Sequence, residues 1–192
     1  MHALPLLAAL LLSDPATATP PSAVAAAQAD RPARSVYVQG TLNLVVGERV
    51  VLRPTGGGAF ELVEARFLGL EAARPPVPGT RPDMAELFPA EPGTVALSLG
   101  MQPGVGSFLK IENRLDGAFA YMGLIVGWRD GRPTEPGRTT VCTVSKDKLG
   151  FEHWEEPIVQ MVIANLRVLP DAPPVCETEQ SIRETTAAPP TT

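Results

Sequence analysis

The apolar positions along the chain follow the spacing of short strands. In Thr94–Met101, Val95, Leu97, Leu99 and Met101 alternate with Ala96, Ser98 and Gly100. That is the period-two signature of a strand with one buried face. Ala118–Trp128 is apolar at both parities, the pattern of a central strand covered on each side. Val36–Leu44, Val45–Arg53, Ala59–Leu70, Ser107–Asn113 and Thr139–Val144 also have strand character. Ile158–Leu169 fits two periods. Ile158, Met161, Val162 and Leu169 make a helical stripe with Pro157 suited to a first helical position, but the β-branched content favours a strand. Gly- and Pro-rich separators, such as Pro54–Gly58, Pro103–Gly106 and Trp128–Arg138, supply turns between these segments.

Eight short strands without a long helix predict an all-β fold, an antiparallel β-sandwich. An immunoglobulin-like topology is left open. Cys142, Trp154 and Cys176 lie too close in sequence to form the inter-sheet pin of a true immunoglobulin domain. Residues 30–176 are expected to be a single domain. The Pro-rich stretch Glu71–Gly93 reads as a long loop, with one helical turn over Asp83–Phe88 capped by Asp83. Residues 177–192 are polar, rich in Thr and Pro, and read as a disordered tail.

The N-terminal segment changes the picture from fold to compartment. Ala3–Leu12 is a short apolar run, and Ala27-Gln28-Ala29 has the small-residue pattern of a cleavage site. Residues 1–29 are therefore expected to be a secretory signal peptide, with periplasmic or secreted localisation. A second cut near Ala16–Ala18 is conceivable on the same grounds. The competing reading is an Ala/Pro-rich leader, because no Lys or Arg precedes the apolar run. That run is well short of the ~20 residues a membrane span needs, and no later segment reaches that length.

Cysteine and charge usage agree with export. The two cysteines, Cys142 and Cys176, predict one disulfide in an oxidising compartment rather than two separate thiols. Neither C-x-x-C spacing nor His partners point to a metal. Removing residues 1–29 takes one acid and no base, moving the net charge from −5 to −4. An acidic chain without a basic cluster does not fit nucleic acid or anionic membrane binding. The bias towards Arg, Ala, Pro and Gly suggests a bacterial origin.

Candidate chemistry is sparse. His153 is the only histidine after the leader, no G-x-S-x-G elbow is present, and the glycine runs lack the residues of a phosphate loop. The densest polar–aromatic patch is Phe151–Pro157. Within it Glu152, His153, Trp154 and Glu155 form a speculative ligand surface, because carboxylates beside a Trp suit carbohydrate. The competing reading is a loop whose Trp caps the core while the acids stay solvated. If the segment is extended, Glu152 and Trp154 share one face and His153 and Glu155 the other. Tyr121 and Trp128 are expected in the core or at a strand end.

Phe108–Asn113, Phe119–Val126, Thr139–Val144, Phe151–Pro157 and Ile163–Val168 together resemble segments of small exported bacterial proteins of unassigned function. The resemblance implies a β-rich exported protein and assigns no residue a role. The expected function is thus a non-catalytic exported binding or envelope accessory module without a cofactor. Its partner would be a protein or a glycan of the envelope. The alternative is a carbohydrate-binding or carbohydrate-active domain.

Overall fold

The computed structural model describes residues 32–76, 88–170 and 174–177. The expected leader, the Asp83–Leu87 part of the expected helical turn and the tail from 178 onward lie outside them.

The predicted strands form a two-sheet antiparallel sandwich. One sheet runs β1 (Val36–Val38), β2 (Thr41–Val45), β12 (Ile158–Leu169), β7 (Ala118–Arg129), with the short β8 (Arg132–Pro133) and β9 (Gly137–Thr139) both on the free edge of β7. The other runs β11 (Lys148–Trp154), β6 (Gly106–Asn113), β5 (Val95–Gln102), β3 (Glu48–Pro54), β4 (Phe60–Phe67). Between them lie Leu42 and Leu44 from β2, Val95, Leu97 and Leu99 from β5, Phe119 and Tyr121 from β7, and Met161 and Ile163 from β12. These are the inward positions of period-two strands, and burying them supplies the main driving force for folding. Phe119 sits at the centre, stacked on Tyr121 at 5.5 Å and edge-on to Phe60 at 6.2 Å.

Several expected strands are cut or added. Val36–Leu44 is broken by a tight turn at Gln39–Gly40, both with positive φ, into β1 and β2. Thr139–Val144 is split, because β9 pairs with β7 while β10 (Val141–Cys142) pairs with β13 (Cys176–Glu177). Ile158–Leu169 is a strand throughout, bulged near Val159 and again between Ala164 and Arg167. β11 was legible only as a patch of polar and aromatic residues. Its inward positions are Gly150, Glu152 and Trp154, with Phe151 outward, so Trp154 is its one large apolar contact with the core.

The disulfide joins Cys142 to Cys176, which stand opposite one another in the β10–β13 pair. It fastens the C-terminal segment beside the 139–144 region. Glu177 pairs with Val141, so ordered pairing extends one residue past the expected domain end.

The middle strands of the second sheet are covered on both faces. The outward face carries Ala96, Ser98 and Gly100 on β5, and these small residues let the start of the β4–β5 crossover, residues 68–76, lie directly on the strand. A Cβ at Gly100 would stand 2.7 Å from the Ala73 amide nitrogen and the Leu70 carbonyl oxygen, so the close approach needs glycine. The crossover is held at its far side by the Glu112 carboxylate, which is 1 % exposed. It accepts a hydrogen bond from the Ala90 amide at 2.9 Å and pairs with Lys110 Nζ at 3.0 Å and Arg49 Nη2 at 3.3 Å. Two charges of β6 and one of β3, reaching across β5, thus share one desolvated site, where losing the central anion leaves two cations uncompensated.

The first sheet is different. On its outward side Ala118–Trp128 is covered, as expected, at Ala118 and Ala120, but the cover does not continue beyond them. Met122, Leu124 and Val126 are only part-buried there and Trp128 is 45 % exposed. The described parts of the β4–β5 crossover, residues 68–76 and 88–94, lie on the other sheet.

Replacing Glu112 with Ala is expected to destabilise the fold by about 3–5 kcal/mol in urea unfolding at neutral pH, the cost of stranding Arg49 and Lys110. A change under about 1 kcal/mol would show that water reaches these charges.

Candidate functional site

β11 is an edge strand, paired with β6 from Lys148↔Asn113 to Trp154↔Ser107. Its alternation divides the four residues of the expected ligand surface. Glu152 stands opposite Leu109 and Trp154 opposite Ser107, both facing the other sheet. His153 and Phe151 face outward. The His153 ring stacks on Phe108 at 4.7 Å, with Nε2 3.2 Å from the Val105 carbonyl. Trp154 is packed against the core, and its indole N–H donates to Thr139 Oγ1 at 2.7 Å. In that position its ring is not a free platform for a sugar. Glu155 is exposed in the bend after β11, while Glu156 pairs with Arg129 at 3.4 Å. The carboxylates of this stretch therefore point in different directions and do not converge on one point.

Glu152 is nevertheless an unusual group. Its Oε1 accepts the Cys142 amide at 3.0 Å, so the carboxylate ties β11 to the disulfide-bearing strand. Burial raises its pKa above the usual carboxylate value, and the Cys142 hydrogen bond opposes that only in part. The buried Tyr121 hydroxyl faces the same carboxylate without closing a well-formed hydrogen bond to it. Burial, reinforced by the Glu152 charge, pushes the Tyr121 pKa well above its ordinary value. A shallow groove of about 150 Å³ runs between β11 and the disulfide, with Phe151, Glu152 and Pro174 among its walls.

A larger cleft of about 360 Å³ opens where the crossover meets β3 and β4. Arg49 and Arg66 line it, but so do Glu64 and Glu91, and Arg66 already pairs with Glu64 at 3.3 Å. The lining is charge-balanced. Among the described residues no group of three or more His, Cys, Asp or Glu side chains is placed to hold a metal ion. Nor is any helix there long and apolar enough to cross a membrane.

The outward face of the first sheet is the feature that sequence reasoning missed. Register places Val36, Asn43, Val162, Leu124 and Arg138 in one row across β1, β2, β12, β7 and β9. Val45, Gln160 and Val126 form the next row. Val38 stands opposite Thr41, and Ala164 opposite Met122, on the other side of the first row. Trp128 prolongs the β7 stripe. An antiparallel sheet with one face in water ordinarily alternates apolar inside with polar outside. Here the outward positions are chiefly Val, Leu, Met, Ala and Trp. The polar groups among them are Thr41, an Asn43–Gln160 pair bonded at 3.1 Å, Asn165, whose amide donates to Met122 Sδ at 3.7 Å, and the cations Arg138 and Arg167. No carboxylate stands on this face among the described residues. The available signal was the apolarity of β7 at both parities.

Glu152 gives a pH prediction. Its folded pKa lies above the unfolded value, so its stabilising contribution is full below the unfolded pKa, near 4.5, and is lost as pH rises through the folded pKa. Glu152→Gln keeps an acceptor for the Cys142 amide and cannot ionise. Its stability relative to the unaltered chain is expected to improve between pH 4 and pH 7 in parallel urea titrations. A difference independent of pH would show that the carboxylate is freely solvated.

Comparison with protein-family models, with curated proteins and with solved structures returns no match, so the functional reading rests on these residues themselves.

Proposed function

We propose that this chain is an exported, non-catalytic binding module of the bacterial envelope that docks a partner on the outward face of its first sheet. The observation that carries the reading is that face: apolar side chains of β1, β2, β12 and β7, from Met122 onward on β7, are interrupted by the Asn43–Gln160 pair and bordered by Arg138 of β9, with no covering layer over them among the described residues. From Met122 to Trp128, and from β1 across to β9, it measures roughly 20 by 20 Å at standard strand spacings. About 400 Å² is the size of the largest apolar patch on a typical monomer, and such patches are often functional. A footprint of that order suits a transient interface rather than an obligate one.

Export is supported by the apolar leader with its Ala27-Gln28-Ala29 site and by the disulfide. The absence of converging catalytic groups around β11 agrees with a binding role, and the resemblance to exported β-rich bacterial proteins points the same way.

Two measurements test the proposal. The mass of the exported chain is expected to place its N-terminus at Asp30, whereas an intact Met1 would remove the compartment argument. A photo-reactive amino acid at position 124, expressed in the producing cell, is expected to give one discrete adduct that excess unlabelled chain competes away. The same group at position 61, on the other sheet, gives none. Equal labelling at both positions would contradict docking through the first sheet.

A further inference from the structure

The charges around the docking face indicate what it takes. Arg138 stands beside Leu124 at the β9 side, and Arg167 stands opposite Ala120 where β12 continues past its second bulge. Both are exposed. The ion pairs of the described residues, such as Arg53–Glu61 and Arg129–Glu156, involve neither of them. A chain of net charge −5 thus carries a face whose only charges, among the described residues, are two cations outside any ion pair. From this we infer that the partner is a protein surface of apolar side chains flanked by carboxylates. The inference rests on the reading of this face as a docking site.

The same observations weigh against the other occupants. A second copy docked face to face would set cations against cations without a carboxylate to relieve them, and like charges at an interface act against association. A membrane would meet the Asn43 and Gln160 amides at the middle of the face, where hydrocarbon offers their remaining polar valences no partner. Two cations are also fewer than the cluster of basic residues that membrane-surface recognition uses. A protein partner supplies hydrogen-bond groups for the amides, apolar contacts for the β7 stripe and carboxylates for the rim.

The test uses the full chain and two synthetic amphipathic helical peptides with the same leucine face, one flanked by glutamates and the other by lysines. Trp128, at the end of the stripe, reports contact by a blue shift of its emission. At low salt the glutamate peptide is expected to bind roughly ten-fold more tightly than the lysine peptide. The preference should shrink as salt is raised and vanish in Arg138→Glu/Arg167→Glu. Leu124→Asp, or Val162→Asp if the first variant does not fold, is expected to abolish binding of both peptides.

Equal affinity for the two peptides, with both lost in Leu124→Asp, would overturn the acidic partner and leave the docking face standing. No binding of either peptide would overturn both readings. Stronger binding to phosphatidylglycerol vesicles than to the glutamate peptide would assign the face to a membrane. Concentration-dependent dimerisation abolished by Leu124→Asp would assign it to a second copy. Either result would overturn the proposal.

Discussion

The Glu112 carboxylate determines how the two sides of the sandwich differ. A desolvated anion between Lys110 and Arg49 also accepts the Ala90 amide, and so fixes the crossover from β4 to β5 on the outward face of the second sheet. Ala96, Ser98 and Gly100 leave the space that this contact needs. The consequence lies on the opposite side of the molecule. The described parts of that segment lie where the ions hold them, and among the described residues nothing covers Met122, Leu124, Val126 and Val162 on the outward side of β7 and β12. Charges buried this way contribute little net stability, but removing one of them is costly, so the arrangement fixes where a segment goes more than how tightly it packs.

Much of the fold was legible because strand periodicity is local. β5 follows its alternation from Val95 to Gln102, and β12 spans Ile158–Leu169, where β-branched residues prevailed over an equally good helical stripe. The disulfide could be read because a chain with two cysteines has one intramolecular pairing available. β11 could not be read, since it is an edge strand with a carboxylate turned inward. Its cross-strand partners on β6, and the Cys142 amide that donates to Glu152, are brought to it by the tertiary fold and not by neighbouring residues.

The docking face was illegible for a related reason. A strand apolar on both faces is written identically whether its second face is covered by its own chain or left for another. β7 was read as covered because most such strands are. Deciding between the two requires knowing where residues 68–94 pack, and that depends on an ion cluster assembled from β3, β6 and the crossover. The patch around Glu152 and Trp154 misled in the opposite direction. Adjacency in sequence gathered the acids and the Trp, whereas strand alternation and the hydrogen bond to Thr139 dispersed them.

The central claim is that the outward face of the first sheet is occupied in the working protein. It is tested most directly by the reaction rate of a single added cysteine at Val162 with a polar maleimide, compared between the purified chain and the envelope of the producing cells, with a cysteine at the exposed Arg53 as reference. The account predicts ready reaction at both positions in the purified chain and selective protection at position 162 in the envelope. Equal reactivity of the two positions in both settings would contradict it.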